Sequence, residues 1–483
     1  MIKTLENDIY KSKKNLNNVI ELMNYMDYQT HSLEEVNEAA AALCRVFSHF
    51  FKTKELKRPD ADDESAGAMV QNWISDNFIS FTEKLMQVYS EPDVDALQVS
   101  FLTIALRLCK AESYLDPNGL LRNQLYFRIC TALAAASNLS DLCVQDFVQS
   151  YLTKYTDLLY YFYKNVSKIA SAYTEDDLSG FSSDEIHTLA SNIIRIVSLI
   201  PSPLSSSLSW ASTLSSNVEQ SSSLKRAFQD AWLSALSLPL SIDLYKRILS
   251  VIHKRVIPFL PKPTMLMDFL TDAYNSHHTV ALLALNGLFT LIMEHNLDYP
   301  LFYPKLYALL DRNLLYLRTR SRFFRLLDLF LSSTHLPATV IASFIKKLAR
   351  LALTGSPGAI AIVIPFIYNS LQRHPSCMRM LHRDVSEEDD PFDIQQPDPL
   401  LTSAIDSSLW ELHTLQNHYY PNIASLAGIM SQQFTKPRYE LEDFLDHNYA
   451  TMCDAELRRP IRIEPPIEYE KCTLSSYLDD SWA

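Results

Sequence analysis

With 483 residues, 47% hydrophobic and 20% charged, and a formal net charge of −13, the chain is too apolar to be disordered and suits about three domains or one long repeat-like array. Only seven residues are glycine, which argues against nucleotide-binding α/β folds and all-β folds, because phosphate loops and tight turns use glycine. The composition therefore predicts a nearly all-helical protein whose 23 prolines begin and end many short helices.

Apolar residues at helical spacing recur along the first part of the chain. Polar or turn-forming segments at 57–67 and 113–119 separate the predicted helices, and the Ser-rich segment 201–223 is interpreted as a loop or a weak helix. The helices are predicted over 2–25, 31–54, 68–90, 95–112, 183–199, 221–237, 240–258 and 277–295, with more than one helix over 119–171. This succession favours an all-α fold, an irregular α-solenoid of stacked, HEAT-like helix pairs.

Two segments without acidic or basic residues, 273–293 and 351–372, are about long enough to cross a bilayer. Asn, Ser and two His open the first segment, and a Gly-Ser-Pro-Gly sequence followed by Pro365 interrupts the second. We interpret both as buried helices and expect no membrane span. The N-terminus lacks an apolar segment of signal-peptide length, and the seven cysteines form no C-x-x-C pair. Both observations favour an intracellular protein with buried thiols.

After residue 299, proline, glycine and serine mark the predicted helix boundaries more clearly. Pro337 is placed to begin a helix, and Gly355 is placed to end it. Ser356 and Pro357 resemble the cap and first residue of the next helix, in which Pro365 is expected to cause a kink. The first of these helices has one apolar stripe at helical spacing, formed by Ile341, Phe344, Ile345, Leu348 and Ala352.

The segment SSLWELHTLQNHYYP, residues 407–421, combines Trp, Glu, two His and two Tyr. We predict a helix from Pro399 to about Tyr419 and a second helix from Pro421, which together form a helical hairpin. The apolar stripe of the first helix is predicted to begin at Leu401, and Trp410 lies off this stripe, roughly 160° from its centre. It therefore packs in a second layer of the solenoid or contacts a partner protein, since tryptophan is enriched at binding hot spots.

No catalytic pattern accompanies these residues. His413 and His418 are five positions apart, which is not the spacing of the zinc-binding H-E-x-x-H motif. The sequence contains no G-x-S-x-G, Walker A or G-x-G-x-x-G motif. We predict a protein that is not an enzyme, without cofactor or metal site.

A basic island lies within this acidic protein. Residues 301–353 hold nine Lys or Arg against two Asp, whereas residues 384–411 hold nine acids and no base. The basic helix face at 312–350 is a candidate contact for RNA phosphates or an acidic partner. Alternatively it is a solvated face with internal pairing, such as Arg325 with Asp328 or with the acidic loop. The candidate contact residues are Arg318, Arg322, Arg325, Lys346, Lys347, Arg350 and Trp410.

Several ordered motifs between residues 280 and 450 resemble the CCAAT-binding-factor/nucleolar complex protein family, closest to its nucleolar complex protein 4 branch. They are DYPLFYPKLYALLD, RSRFFRLLDLFLSSTHLPATVIASFIKKLARLAL, GAIAIVIPFIYNSLQRHP, DPFD and SSLWELHTLQNHYYPNIASLA. The N-terminal half shows no recognised motif. The resemblance implies a helical-repeat scaffold of the nucleus and nucleolus, without catalytic residues. It also implies a role in small ribosomal subunit biogenesis and pre-rRNA processing, in complex with nucleolar protein 14 and other small-subunit processome factors.

The expected organisation has three parts. They are an N-terminal helical-repeat region over 1–260, a C-terminal family domain over 261–455 and a Pro-containing extended tail over 456–483. We expect residues 299–455 to carry the dominant contact with nucleolar protein 14, because the family motifs are concentrated there. Direct pre-rRNA binding through the basic face at 312–350 is the alternative function.

Overall fold

The computed structural model describes most of the chain. The described residues are 2–12, 15–28, 30–56, 66–91, 95–173, 182–201, 208–211, 221–276, 278–295, 299, 301–317, 319–333, 336–383 and 390–460. They belong to two compact units, Met1–Asp298 and Tyr299–Ala483. Most of the charged loop predicted over 57–67, much of the Ser-rich segment 201–223 and residues 461–483 of the predicted tail lie outside the described part.

Helices of ordinary length build the N-terminal unit. They are α1 (Ile2–Lys11), α2 (Asn18–Asn24), α3 (Leu33–Lys52), α4 (Ala66–Gln87), α5 (Asp95–Glu112), α6 (Asn123–Ala135), α7 (Asp141–Asp146), α8 (Thr156–Ala172), α9 (Ser183–Leu199), α10 (Ser221–Leu236), α11 (Ile242–Arg255), α12 (Met267–Asn275) and α13 (His278–His295). Across the described residues, the only β pairing is an isolated bridge between Tyr155 and Leu208. The all-α fold class is confirmed.

Local sequence explains where several of these helices begin and end. Ser32 and Ser182 form capping boxes at the starts of α3 and α9, each with a glutamate three residues later. Gly119 adopts a left-handed φ of 66° in the turn before α6, a conformation that costs glycine little. The helix predicted over 2–25 is two helices, because α1 ends at Lys11 and α2 begins at Asn18.

Helices of the N-terminal unit pack mainly on near neighbours in sequence. Thus α3 packs on α5, α6 on α8 and α9, and α11 on α13. This is the pattern of a solenoid, in which each repeat contacts the adjacent repeats. Because α13 packs on α11 and α12, it belongs to the N-terminal unit, and the division at Asp298 lies beyond the predicted domain boundary at residue 260.

The C-terminal unit is built of shorter helices around two long ones. They are α14 (Phe302–Ala308), α15 (Arg320–Phe330), α16 (Ala338–Ala352), α17 (Pro357–Arg373), α18 (Arg379–His382), α19 (Trp410–Leu415), α20 (Pro421–Gly428), α21 (Glu442–Leu445) and α22 (Tyr449–Leu457). The predicted boundaries of α16 and α17 at Pro337, Ser356 and Pro357 are confirmed.

The core of this unit is the pair α16 and α17. All five residues of the predicted α16 stripe are buried, and every residue of α17 from Pro357 to Leu371 is buried. The α17 helix continues past Pro365, and α20, α21 and α22 pack against it. Among the described residues, no helix is both long and apolar enough to cross a membrane.

The helix predicted from Pro399 to Tyr419 is wrong at its start, because α19 begins only at Trp410. Leu401, expected on the buried stripe, is exposed. Ser403 has a left-handed φ of 55°, and the buried Thr402 hydroxyl bonds to Ser343 of α16. The predicted helix therefore does not form over these residues, although their apolar spacing is helical, because a left-handed residue interrupts a right-handed helix. The second helix begins at Pro421 as predicted, and α19 packs on α20.

Candidate partner-binding surface around Trp410

The middle of α16 carries a lysine whose charge lies inside the C-terminal unit. The Lys346 side chain is completely buried, and its ammonium lies 3.0 Å from the Asp390 carboxylate and 2.7 Å from that of Glu411. Its Nζ also donates a 2.6 Å hydrogen bond to the carbonyl of Ser408. A buried ammonium requires such partners, because an unpaired charge in the interior is strongly unfavourable.

Arg350 lies one helical turn after Lys346 and contacts the same two carboxylates, each at 2.7 Å. Burial raises the pKa of the Glu411 carboxyl, and its contact with Lys346 opposes that effect. Burial also acts to raise the pKa of Asp390, but hydrogen bonds, foremost from Ser407, outweigh it and hold that pKa well below its usual range. Lys346, Arg350, Asp390 and Glu411 together are called the charge cluster.

The indole of Trp410 lies against this charge cluster. Its Nε1 donates a 3.1 Å hydrogen bond to Asp390. The Arg350 guanidinium lies 4.6 Å, and the Lys346 ammonium 5.5 Å, from the ring centroid. These cation–π contacts and the hydrogen bond fix the ring, yet 39% of Trp410 is exposed. The side chain is therefore held by its own unit while part of it remains open to solvent.

A groove of about 400 Å³ opens beside Trp410. Apolar side chains of Met380, Leu412 and Met430 line it together with His413. Methionine adapts its shape readily to an incoming apolar group. The groove is therefore suited to a large apolar side chain inserted by a partner.

Three apolar side chains remain exposed on the segment that precedes α19. They are Ile394, Leu400 and Leu401. The segment is firmly anchored, because the Asp393 N–H donates a 3.2 Å hydrogen bond to the Thr402 carbonyl, and Ser343 of α16 donates a 2.6 Å hydrogen bond to the carbonyl of Pro399. We call these three side chains, Trp410 and its groove the Trp410 surface.

Comparisons with known proteins cover both halves of the chain. Residues 281–427 match the model of the CBF/Mak21 family, and residues 1–175 match the model described as nucleolar complex protein 4-like, TPR repeats. Nucleolar complex protein 4 of Saccharomyces cerevisiae is 35% identical, over 95% of this chain and 92% of its own length. The chain belongs to the nucleolar complex protein 4 family.

Two further relatives extend the same match. A homologue from Mus musculus is 33% identical, over 91% of this chain and 89% of its own. An uncharacterized protein of Schizosaccharomyces pombe is 68% identical over the full length of both chains. The family resemblance therefore reaches beyond residues 280–450 into the N-terminal half, where the family model names TPR repeats. As a member of the family, the chain is a nucleolar protein with a role in ribosome biogenesis.

Within this family member, much of the predicted basic face is paired internally. Arg325 forms a two-pronged ion pair of 2.7 Å with Glu442, whereas Asp328, its suggested partner, binds Arg373 and Arg438 instead. Lys346 and Arg350 belong to the charge cluster. Their positive charges are therefore compensated by carboxylates of the same unit.

The remaining basic candidates differ in their surroundings. Lys347 donates a 2.9 Å hydrogen bond to the Tyr307 carbonyl, and its ammonium lies 3.9 Å from the Tyr307 ring centroid. Burial lowers the pKa of Lys347 to about 8. Arg322 is partly buried, and burial lowers its pKa as well. Arg318 lies outside the described residues.

Sequence reasoning did not single out the carboxylates that organise this surface. Asp390 begins the DPFD motif and Glu411 lies within SSLWELHTLQNHYYPNIASLA, but neither motif indicates an ion pair with Lys346. The available signal was the excess of acids over 384–411 opposite the excess of bases over 301–353. In the part of the chain that the structure describes, no group of His, Cys, Asp and Glu is placed to hold a metal ion.

Proposed function

We propose that this chain is a non-enzymatic scaffold of the small-subunit processome that binds nucleolar protein 14 through the Trp410 surface. The observation that carries the proposal is the geometry of Trp410, which is fixed by the charge cluster and partly exposed beside a groove. Trp410 also lies inside the segment that matches the CBF/Mak21 family, residues 281–427. Large aromatic side chains held in place before binding are typical hot spots, because little conformational freedom is lost on association.

The exposed apolar side chains on the segment before α19 indicate the chemistry of the partner. An apolar partner surface would cover Ile394, Leu400 and Leu401. Removing each of these side chains from water would lower the free energy of the complex. The charges of Lys346 and Arg350 are already satisfied within the unit. We therefore infer that binding depends mainly on apolar contact and only weakly on ionic strength.

Direct pre-rRNA binding through Arg325, Lys346 and Arg350 of the face at 312–350 has less support. Arg325, Lys346 and Arg350 have carboxylate partners, so contact with phosphates would require these ion pairs to break. That cost is large for the completely buried Lys346–Glu411 pair and small for the exposed Arg325–Glu442 pair. The scaffold proposal needs no such rearrangement.

A binding measurement between the purified full chain and purified nucleolar protein 14 tests the proposal. Leu401→Asp places a charge on a side chain that is 64% exposed, so we expect a folded protein with binding weakened by about tenfold or more. Leu457→Asp, at 84% exposure, is the matched control outside this surface and should leave affinity unchanged. Equal affinity of both variants and the unmodified chain would remove the Trp410 surface from the interface.

A further inference from the structure

A second cavity of about 450 Å³ lies in the C-terminal unit and shares no lining residue with the Trp410 groove. It opens where the first turn of α17 meets the chain between α21 and α22. The lining residues that matter here are Tyr316, Arg320, Ser356, Gly358, Asp446 and Tyr449. We call this cavity the Arg320 pocket.

Arg320 supplies the positive charge of this pocket. Its guanidinium donates hydrogen bonds to the carbonyls of Leu315, at 3.2 Å, and His447. Among the described residues, no carboxylate forms an ion pair with it, in contrast to Arg325 and Arg350. Because a guanidinium has five N–H donors, Arg320 is held in place by two carbonyls and keeps further donors for an anion.

Ser356 adds an independent polar group to the pocket. The residue is only 6% exposed and lines the pocket, yet its hydroxyl bonds to no described residue and does not cap α17. This hydroxyl is therefore available to donate a hydrogen bond to a ligand in the pocket. Gly358, in the first turn of the 17-residue α17, also lines the pocket, and it places the N-terminal end of a helix dipole there, which favours an anion.

Two exposed tyrosines flank the pocket. Tyr316 is 59% and Tyr449 is 64% exposed. The Tyr316 hydroxyl donates a 2.9 Å hydrogen bond to the Thr354 carbonyl, which fixes the ring. Arg312 donates a 3.2 Å hydrogen bond to the hydroxyl of the same threonine, so a second cation lies near Tyr316. Aromatic faces beside cations are the usual features of a surface that binds single-stranded nucleic acid.

We propose that the Arg320 pocket binds a backbone phosphate of single-stranded RNA, with bases stacked on Tyr316 and Tyr449. An acidic peptide would use the cation but would not need the two exposed rings. The Asp446 carboxylate also lines the pocket and opposes an anion there, so removing its charge should strengthen binding. This site is distinct from the proposed protein-binding surface and does not depend on it.

Fluorescence anisotropy with a labelled, short single-stranded RNA and the full chain tests the proposal. We expect Tyr449→Ala to weaken binding by about fivefold or more and Arg320→Gln by about tenfold or more. Asp446→Asn should tighten it. Arg379→Gln and Tyr419→Ala, exposed positions of the same unit outside the pocket, are the matched controls and should bind like the unmodified chain.

Arg320→Gln also removes hydrogen bonds to two carbonyls and is therefore paired with a thermal melt. Tyr449 and Asp446 are exposed, so their variants decide the question even if the Arg320 variant unfolds. Unchanged RNA affinity in both Tyr449→Ala and Asp446→Asn overturns the proposal. Binding of a polyglutamate peptide in the absence of any RNA binding overturns it too and assigns the pocket to protein recognition. Neither result affects the Leu401→Asp test, whose readout is binding of nucleolar protein 14.

Discussion

The ammonium of Lys346 lies 2.7 Å from the carboxylate of Glu411, and both side chains are completely buried. Asp390 and Arg350 extend this pair into a cluster in which each charge meets an opposite one. The cluster joins α16 to the start of α19 and thereby positions Trp410. Its integrity is therefore expected to control both the stability of the C-terminal unit and the shape of the Trp410 surface.

Removing one member of the buried pair should destabilise the unit strongly. We expect Glu411→Ala to cost about 3–5 kcal/mol of unfolding free energy, because it leaves the Lys346 charge without its nearest partner. The double variant Lys346→Met/Glu411→Leu should cost less than the sum of its single changes, since neither charge is then left alone. Urea unfolding of the unmodified chain, Lys346→Met, Glu411→Leu and the double variant measures this coupling. Additive losses would show that the two groups do not stabilise each other.

Lys347 should produce a pH dependence with a defined sign. Its pKa is lowered to about 8 in the folded chain, below the value of about 10.4 in an unfolded one. Between these values the unfolded chain binds more protons, so the contribution of Lys347 to stability rises with pH over that interval. We therefore expect the difference in unfolding free energy between the unmodified chain and Lys347→Met to change from pH 8 to pH 10. Parallel stability profiles of the two proteins would contradict it.

Trp410→Ala should affect both stability and partner binding. The change removes the hydrogen bond to Asp390 and the stacking with Arg350, so we expect a loss of about 1–2 kcal/mol of stability. This loss is smaller than the roughly 3–5 kcal/mol expected when a fully buried tryptophan is replaced by alanine. Binding of nucleolar protein 14 should weaken by about 2 kcal/mol or more. Calorimetric melting and a binding titration on the same variant distinguish an interface anchor from a core residue, for which only the melting temperature would respond.

Two glycines of the C-terminal unit should respond in opposite ways to alanine. A Cβ at Gly358 would lie 2.6 Å from the backbone carbonyl oxygen of His447, so Gly358→Ala should destabilise by about 1–3 kcal/mol. A Cβ at Gly428 in α20 would meet nothing within 4 Å. Gly428→Ala should therefore stabilise by about 0.5–1 kcal/mol. Thermal melts check both variants: a Gly358→Ala variant as stable as the unmodified chain would refute the close packing at α17, and a destabilised Gly428→Ala variant would contradict the open space at α20.

The sequence by itself determined the helical class, the family and most of the long helices. Scarce glycine and apolar residues at helical spacing are local properties, so they predict α3, α5, α9 and the α16–α17 pair without knowledge of neighbours. Pro337, Ser356 and Pro357 mark helix ends for equally local reasons, since proline restricts its own φ and lacks an N–H. The family motifs lie in this well-predicted region.

Only the tertiary structure decided the surroundings of the candidate residues. Helical spacing predicted Leu401 on a buried face. In the folded chain Thr402 contacts Ser343, no helix forms at these residues, and Leu401 is exposed. A count of charges could not show whether Lys346 faces solvent or a buried Glu411, because residues 65 positions apart meet only when the chain folds. Burial and charge pairing depend on such distant contacts, and they decide which side chains remain available to a partner.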